Sequence, residues 1–178
     1  MLNVKPPNYR FCPFCGGLLT TKVDTGLLRK HCDACQWTYY PHVGASITGV
    51  IVRDGKVLMV KRRHEPFKGT WMFPSGFVEF GEHPEETAIR EVQEETGLQT
   101  ETLQLLHVFQ SEDDPRRPGH LVFFYMVKTI GDTLKNDDDE NEGIGWFDPR
   151  KPPEVRWKLH RRVLNQLASA SDCNWGQP

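Results

Sequence analysis

The sequence predicts a mixed α/β domain preceded by a small four-cysteine module, and three observations predict it. Two Cys-x2-Cys pairs fall within the first 35 residues. Behind them, β-rich apolar runs are interrupted by two segments of helical periodicity. A hairpin signal, Asp54-Gly55, stands between two such runs.

The chain has 178 residues, enough for one medium domain and a small module. A core of about 140 residues buries about two-thirds of its unfolded surface and can fold without staples. With 38% hydrophobic and 26% charged residues, composition is that of a soluble globular protein. A net charge of -2 gives no general drive toward nucleic acid or anionic membrane. No apolar run approaches a membrane span, and MLNVKPPNYR has no signal-peptide h-region. The expected setting is therefore cytoplasmic and reducing, with no membrane partner.

Residues 1–42 read as an N-terminal arm and the cysteine module, with few large aliphatics and no visible internal repeat. Residues 43–171 read as the main domain, and residues 172–178, with Cys173, as a C-terminal tail. Within the main domain, ASITGVIV and KVLMVKRR flank Asp54-Gly55, and WMFPSGFVEF is extended but broken by Pro74 and Gly76. PEETAIREVQEETG predicts one helix: Pro84 suits the first turn and Gly97 ends it. Strands follow at 102–109 and 120–128, and an acidic stretch, NDDDENEG, leads into IGWFDP. Val155, Leu159, Val163 and Leu167 recur every fourth residue and predict an amphipathic helix over 154–169.

Cys12-x2-Cys15 and Cys32-x2-Cys35 are separated by sixteen residues, within the range of a four-cysteine zinc site. Four thiolates leave no open coordination position, so such a zinc would be structural. Two disulfides or a redox role are the alternative. His31, beside Cys32, is expected to be a surface histidine and not a ligand. The module lacks the basic, aromatic-studded surface of a nucleic-acid binder, so no nucleic acid is expected as partner.

On the predicted helix, Glu91, Glu94 and Glu95 share one face. Clustered carboxylates repel one another, and a hard divalent cation relieves that repulsion. A glutamate-rich solvated face is the plainer reading of this helix alone. The flanking residues extend it. Gly76-x5-Glu82-x7-Arg90-Glu91-Val92-x-Glu94-Glu95-x-Gly97-Leu98 matches nine specified positions over 23 residues without a gap. This run resembles the Nudix box, G-x5-E-x7-R-E-U-x-E-E-x-G-U, where U is a bulky aliphatic. The likeness extends over about residues 43–169, and the order of elements is similar to zinc-ribbon Nudix hydrolases.

The resemblance implies a Nudix α/β/α sandwich with a mixed sheet, preceded by the zinc ribbon. It implies a pyrophosphohydrolase that cleaves the diphosphate bond of a nucleotide derivative. Glu91, Glu94, Glu95 and the Gly76 carbonyl would hold catalytic magnesium or manganese, with Glu91 also helping to activate water. Arg90 would orient Glu91 and pair with Glu82. A further acidic residue, Glu140 or Glu142, would assist. Ribbon-bearing members are also expected to form homodimers.

Specificity is expected outside the box. Arg116 and Arg117 are candidates to clamp phosphate or ribose. Phe73, Trp71, Phe77 and Phe109 are candidates to stack a base, with core packing as the alternative. NADH-type members carry a Ser-Gln-Pro-Trp-Pro-Phe-Pro-like array, where this chain has Gln110-Ser111-Glu112-Asp113-Asp114-Pro115. The expected substrate is ADP-ribose or a related dinucleotide such as FAD or NADH. Sanitation of nucleoside triphosphates is one alternative, and an ADP-ribose-binding regulatory protein is another. Every catalytic box residue is intact, which favours an enzyme.

Overall fold

The computed structural model describes residues 5–131 and 133–169. The expected C-terminal tail, with Cys173, lies outside the described residues. The chain divides into two units, Met1–Val43 and Gly44–Pro178. No helix among the described residues is long and apolar enough to cross a membrane.

In the first unit, β1 (Thr20–Asp24) and β2 (Leu27–His31) form an antiparallel hairpin. Its two turn residues, Thr25 and Gly26, both have positive φ (50° and 78°), as a tight primed turn requires. A matching backbone knuckle flanks each strand. Cys12 N–H donates to Gly17 O and Cys32 N–H to Trp37 O, both at 2.8 Å. Gly16 (φ 71°) and Gln36 (φ 58°) occupy equivalent left-handed positions. Leu19 bonds to Arg10 and Tyr39 to Lys30 in the same way. The unit therefore does contain an internal repeat. It is a repeat of backbone conformation in which only the cysteines match, so the side chains do not announce it. His31 is buried, not on the surface, with Nδ1 3.0 Å from Thr38 Oγ1.

The second unit runs β3 (Ala45–Val50), β4 (Val52–Arg53), β5 (Lys56–Arg62), β6 (Trp71–Met72), β7 (Ser75–Phe77), α1 (Pro84–Thr96), β8 (Thr100–Gln110), β9 (Leu121–Thr129), β10 (Asn141–Phe147) and α2 (Lys158–Ser169). One sheet has the order β7-β3-β9-β8 and is mixed, because β3 and β9 are parallel and the other pairs antiparallel. A second sheet orders β10-β5-β4, with β6 also on β5. The Asp54-Gly55 turn is present, with φ of 51° and 70°. It joins only β4 to β5, however. The chain leaves the first sheet after Val50, and what reads as one strand before the turn serves two sheets.

Period-two alternation along β9 assigns its two faces. Val122, Phe124 and Met126 pack with Leu159, Val163, Leu164 and Leu167 of α2. Tyr125 and Val127 pack with Ala88 and Val92 of α1. The mixed sheet thus lies between two helices, an α/β/α sandwich. Helix α1 starts at a cap in which Glu86 accepts the His83 N–H (3.0 Å) and His83 Nδ1 accepts the Glu85 N–H (3.4 Å), and it ends at Gly97 with φ 72°. Gly49 of β3 allows α1 to approach closely, since a Cβ there would collide with Val92.

Helix α2 starts at Lys158, four residues later than the apolar spacing suggests. Residues 154–156 are extended because their backbone pairs with the chain at Thr70. Trp71 N–H donates to Glu154 O (3.0 Å), and Arg156 N–H donates to Thr70 Oγ1 (2.8 Å). Val155 is still buried, in the same core as the helix. Within α2, His160 is buried against Phe73 and Phe124, and its Nδ1 accepts the Phe73 N–H at 3.1 Å.

Burial keeps the His160 imidazole neutral, with its pKa lowered to about 3. As pH falls, the unfolded chain, whose histidine titrates near 6.5, takes up this proton first. Stability from neutral His160 is therefore complete above about pH 6.5 and declines as pH falls toward about 3, by up to about 1.4 kcal/mol per unit. His160→Gln, which can still accept the Phe73 N–H, should remove that slope. Denaturant unfolding at pH 7 and pH 4 should show the wild-type advantage shrinking at pH 4. An advantage independent of pH would contradict a buried neutral imidazole.

Candidate active site

Helix α1 presents Thr87, Ala88, Glu91, Val92, Glu95 and Thr96 on its buried stripe. Two glutamates thus occupy positions where amphipathic spacing alone would place apolar residues. Glu91 is 9% exposed and Glu95 3%. Glu95 Oε2 accepts the Ser75 N–H at 3.2 Å, which ties the helix to β7. Burial raises the carboxyl pKa of Glu91. For Glu95, burial together with the charges of Glu91 and Glu140 raises it well above the usual carboxylate value.

Arg90 organises the surroundings. Its Nε and one terminal nitrogen grip both oxygens of Glu82 at 2.7 and 2.9 Å. The other terminal nitrogen donates to Glu91 Oε1 (2.7 Å) and Glu94 Oε2 (2.9 Å). A further bond reaches Phe77 O at 3.3 Å. Glu82 also accepts from Glu79 N–H and Thr87 Oγ1. The Arg90 fork holds the Glu82 carboxyl down at about 2. The 78–83 loop is thereby pinned to the helix.

Gly76 lies against Glu91. A Cβ built at this position would run into the Glu91 carboxylate, so no other residue type leaves room for it. Glu91, Gly76 and Ser75 line a cavity of about 310 Å³, within the usual size of a small-molecule site. Glu140 lines it too. Glu142 does not, and instead pairs with Lys61 (3.5 Å) and Lys68 (4.0 Å). Glu94 bonds to Arg90 with its side chain 56% exposed and is not part of the cavity lining.

Arg116 lines the cavity and is held by Asp114 through three bonds of 2.8–3.0 Å. Burial would raise the Asp114 carboxyl, but the guanidinium outweighs it and the carboxyl sits low. The Arg116 guanidinium also lies 5.2 Å from the Phe77 ring centre and 6.0 Å from that of Trp157. Arg117 stacks on Phe77 at 5.2 Å but does not line the cavity. Phe73 is a correction. It is 0% exposed, sealed in the core against His160, and cannot stack a base. Trp71 and Phe109 also pack against the core, whereas Phe77 does line the cavity.

Sequence reasoning missed Arg62, His120, Trp157 and His160, all on the lining. Arg62 had one available signal, a basic residue at the end of an apolar strand. The others come from positions that pair with nothing recognisable in the sequence.

Among the described residues, one set of donor atoms is gathered closely enough to hold a metal ion, and it is not the glutamates: Glu91, Glu95 and Glu140 interact through their charges but their oxygens are not drawn together as a ligand set. In the first unit, one donor atom from each of Cys12, Cys15, Cys32 and Cys35 lies within 4.8 Å of the others. All four are free thiols. The Cys12–Cys35 and Cys15–Cys32 sulfur separations are 3.5 Å, close to the ~3.8 Å edge of a tetrahedron of thiolates at ~2.3 Å.

Comparison with known proteins gives the same assignment. The NUDIX domain family model matches residues 41–167. An ADP-ribose pyrophosphatase of Methanocaldococcus jannaschii is 38% identical over 153 residues, covering 85% of this chain and 88% of that protein. A NAD-capped RNA hydrolase, NudC, of Vibrio atlanticus is 29% identical over 147 residues, covering 82% of this chain. The chain spans only 52% of that relative's length. A NUDIX hydrolase crystal structure from Nitrosomonas europaea shares the fold, with a TM-score of 0.78, 23% identity, and coverage of 96% of this chain and 95% of that one. The chain belongs to the NUDIX family.

Proposed function

We propose that this chain is a divalent-metal-dependent hydrolase of the diphosphate bond in a nucleoside diphosphate derivative, most directly ADP-ribose or a related dinucleotide such as FAD or NADH. One observation bears most of the weight: Glu91, fixed by Arg90, abuts Gly76 inside a cavity that Glu140 also lines and that the buried Glu95 adjoins. The relative of nearly equal length in Methanocaldococcus jannaschii, an ADP-ribose pyrophosphatase, supports that substrate choice.

In this reading Glu91, Glu95 and the Gly76 carbonyl would hold magnesium or manganese, and Glu94 would join them by turning from Arg90, to which it is bonded outside the cavity lining. Such ions, when bound, neutralise diphosphate charge and acidify water. Glu91 would accept the proton of the attacking water. Glu140, not Glu142, is the additional carboxylate. Arg90 and Glu82 hold the loop and keep Glu91 in place. Water adds to one phosphorus as the bridging P–O bond breaks, so ADP-ribose yields AMP and ribose 5-phosphate. Positioning and electrostatics account for the acceleration. Cys12, Cys15, Cys32 and Cys35 would hold a structural zinc, and the unit at residues 1–42 is a scaffold.

A panel of ADP-ribose, FAD, NADH and nucleoside triphosphates with Mg²⁺ or Mn²⁺ should yield AMP from the dinucleotide-type compounds. Glu95→Gln should lower kcat at least about 100-fold without unfolding the chain. Cleavage of triphosphates alone would refute the substrate choice, and full activity of Glu95→Gln would refute the site. Metal analysis should find about one zinc per chain, lost on Cys12→Ser together with thermal stability. A zinc-free and equally stable variant would rule out a structural zinc.

A further inference from the structure

Glu140 and Glu142 stand two apart, and along an unbroken strand both would face the same side of the sheet. They part company at a bulge. Strand β10 pairs with β5 as Asn141 with Arg62 and then Gly143 with Lys61, so two steps on β10 oppose one on β5. Glu142 is the extra residue and turns to Lys61 and Lys68. Glu140 instead lines the cavity. Bulges re-aim side chains beside sites in this way.

A bulge alone would leave the segment before it free to swing. Here that segment is clamped from both ends. From the end of β5, Arg63 and His64 grip three consecutive carbonyls. The Arg63 N–H donates to Glu140 O (2.9 Å), and its guanidinium donates to Asn141 O (3.2 Å). His64 Nε2 lies 2.8 Å from Asp139 O and is the donor there, because a carbonyl only accepts. From the end of α1, Thr96 O accepts the Lys135 N–H (2.8 Å) and Glu95 O accepts the Asp137 N–H (3.4 Å). The segment also closes on itself, with Asn141 N–H donating to Asp137 O (2.8 Å) and Asn136 Nδ2 to Asn141 O (3.2 Å).

The Glu140 carboxylate is left open by all this. Among the described residues it makes no hydrogen bond and no ion pair, so its backbone is held while its side chain is not. Burial is the main cause of the raised Glu91 and Glu95 carboxyls, and the charge of Glu140 adds to both. Arg63 itself does not line the cavity. Among the described residues it pairs with no carboxylate, and its guanidinium is given to a backbone carbonyl.

We propose that Arg63 is a positioning residue for the hydrolysis: with His64 and the bulge at Glu142, it holds the backbone of residues 139–141 so that the Glu140 carboxylate stays in the cavity wall that Glu91 shares. The proposal rests on the diphosphate hydrolase reading, in which Glu140 is the additional carboxylate. Arg63 touches no substrate and acts only through Glu140. Small misplacements of a reacting group are costly, so a residue behind the cavity can govern turnover.

The test combines two measurements on the full zinc-loaded chain. One is kcat and KM with MgCl₂, for the nucleotide cleaved fastest in the panel above, in wild type, Arg63→Ala, Arg63→Lys, Glu140→Gln and the Arg63→Ala, Glu140→Gln double variant. The other is hydrogen–deuterium exchange over residues 135–142. Glu140→Gln should lower kcat about 100-fold. Arg63→Ala should lower it about tenfold with KM within about twofold, and Arg63→Lys, which keeps a donor, should lose less. In the Glu140→Gln background, Arg63→Ala should cost less than about twofold more. Exchange over 135–142 should rise in Arg63→Ala and stay at the wild-type level in Glu140→Gln. Losses that multiply in the double variant would overturn the proposal, since they mark general support of the fold. Unchanged kcat in either single variant, or unchanged exchange in Arg63→Ala, would overturn it too. Each of these failures occurs in a chain that still cleaves nucleotide, and so leaves the hydrolase reading standing. A wild type that cleaves no nucleotide would refute that reading, and the role of Arg63 with it.

Discussion

Arg90 is the residue on which the rest of the carboxylate site depends. Three acidic groups, Glu82 in the loop before α1 and Glu91 and Glu94 in the second half of the helix, surround it, and in isolation they would push one another apart. The Arg90 guanidinium is shared among Glu82, Glu91, Glu94 and the Phe77 carbonyl. That set of bonds converts a repulsive cluster into a fixed one. It also ties residue 82 of the loop to residues 91 and 94 of the helix, so loop and helix cannot move separately. A lysine could not substitute, because a single ammonium cannot reach these acceptors in one plane.

The second constraint is steric. Glu91 can sit where it does only because Gly76 has no side chain, and α1 can approach β3 only because Gly49 has none. Buried glutamates on the packed face of a helix destabilise a fold unless something offsets their desolvation. Glu95 obtains part of this from the Ser75 N–H, and Glu91 from Arg90. In the proposed reading a divalent cation offsets the remainder. The result is a site whose components are rigid on one side and electrostatically incomplete on the other, as expected where substrate and metal arrive together.

Local chemistry was legible in the sequence and long-range geometry was not. The box residues and the paired cysteines could be read because their spacing reflects a single helix or a single turn. Asp54-Gly55 announced its turn for the same reason, but not that the strand before it would split between two sheets. Helical periodicity found α2 yet placed its start too early, because the pairing of residues 154–156 with Thr70 is a contact across more than eighty residues. Aromatic character marked Phe73 as a base-stacking candidate, although only the packing of β9 and α2 shows it to be core. Glu140 and Glu142 looked equivalent until Lys61 and Lys68 claimed the latter. Arg62 drew no attention because nothing local distinguishes an arginine in a cavity from one in solvent.

We propose above all that the α1 glutamates around Gly76 form a divalent-cation site. Electron paramagnetic resonance titration of Mn²⁺ into zinc-loaded protein tests this directly, without any assumption about the nucleotide. Wild type should bind Mn²⁺, and a chain carrying both Glu91→Gln and Glu95→Gln should lose that binding while its ribbon zinc and thermal transition persist. Unchanged Mn²⁺ binding in the double variant would contradict the claim.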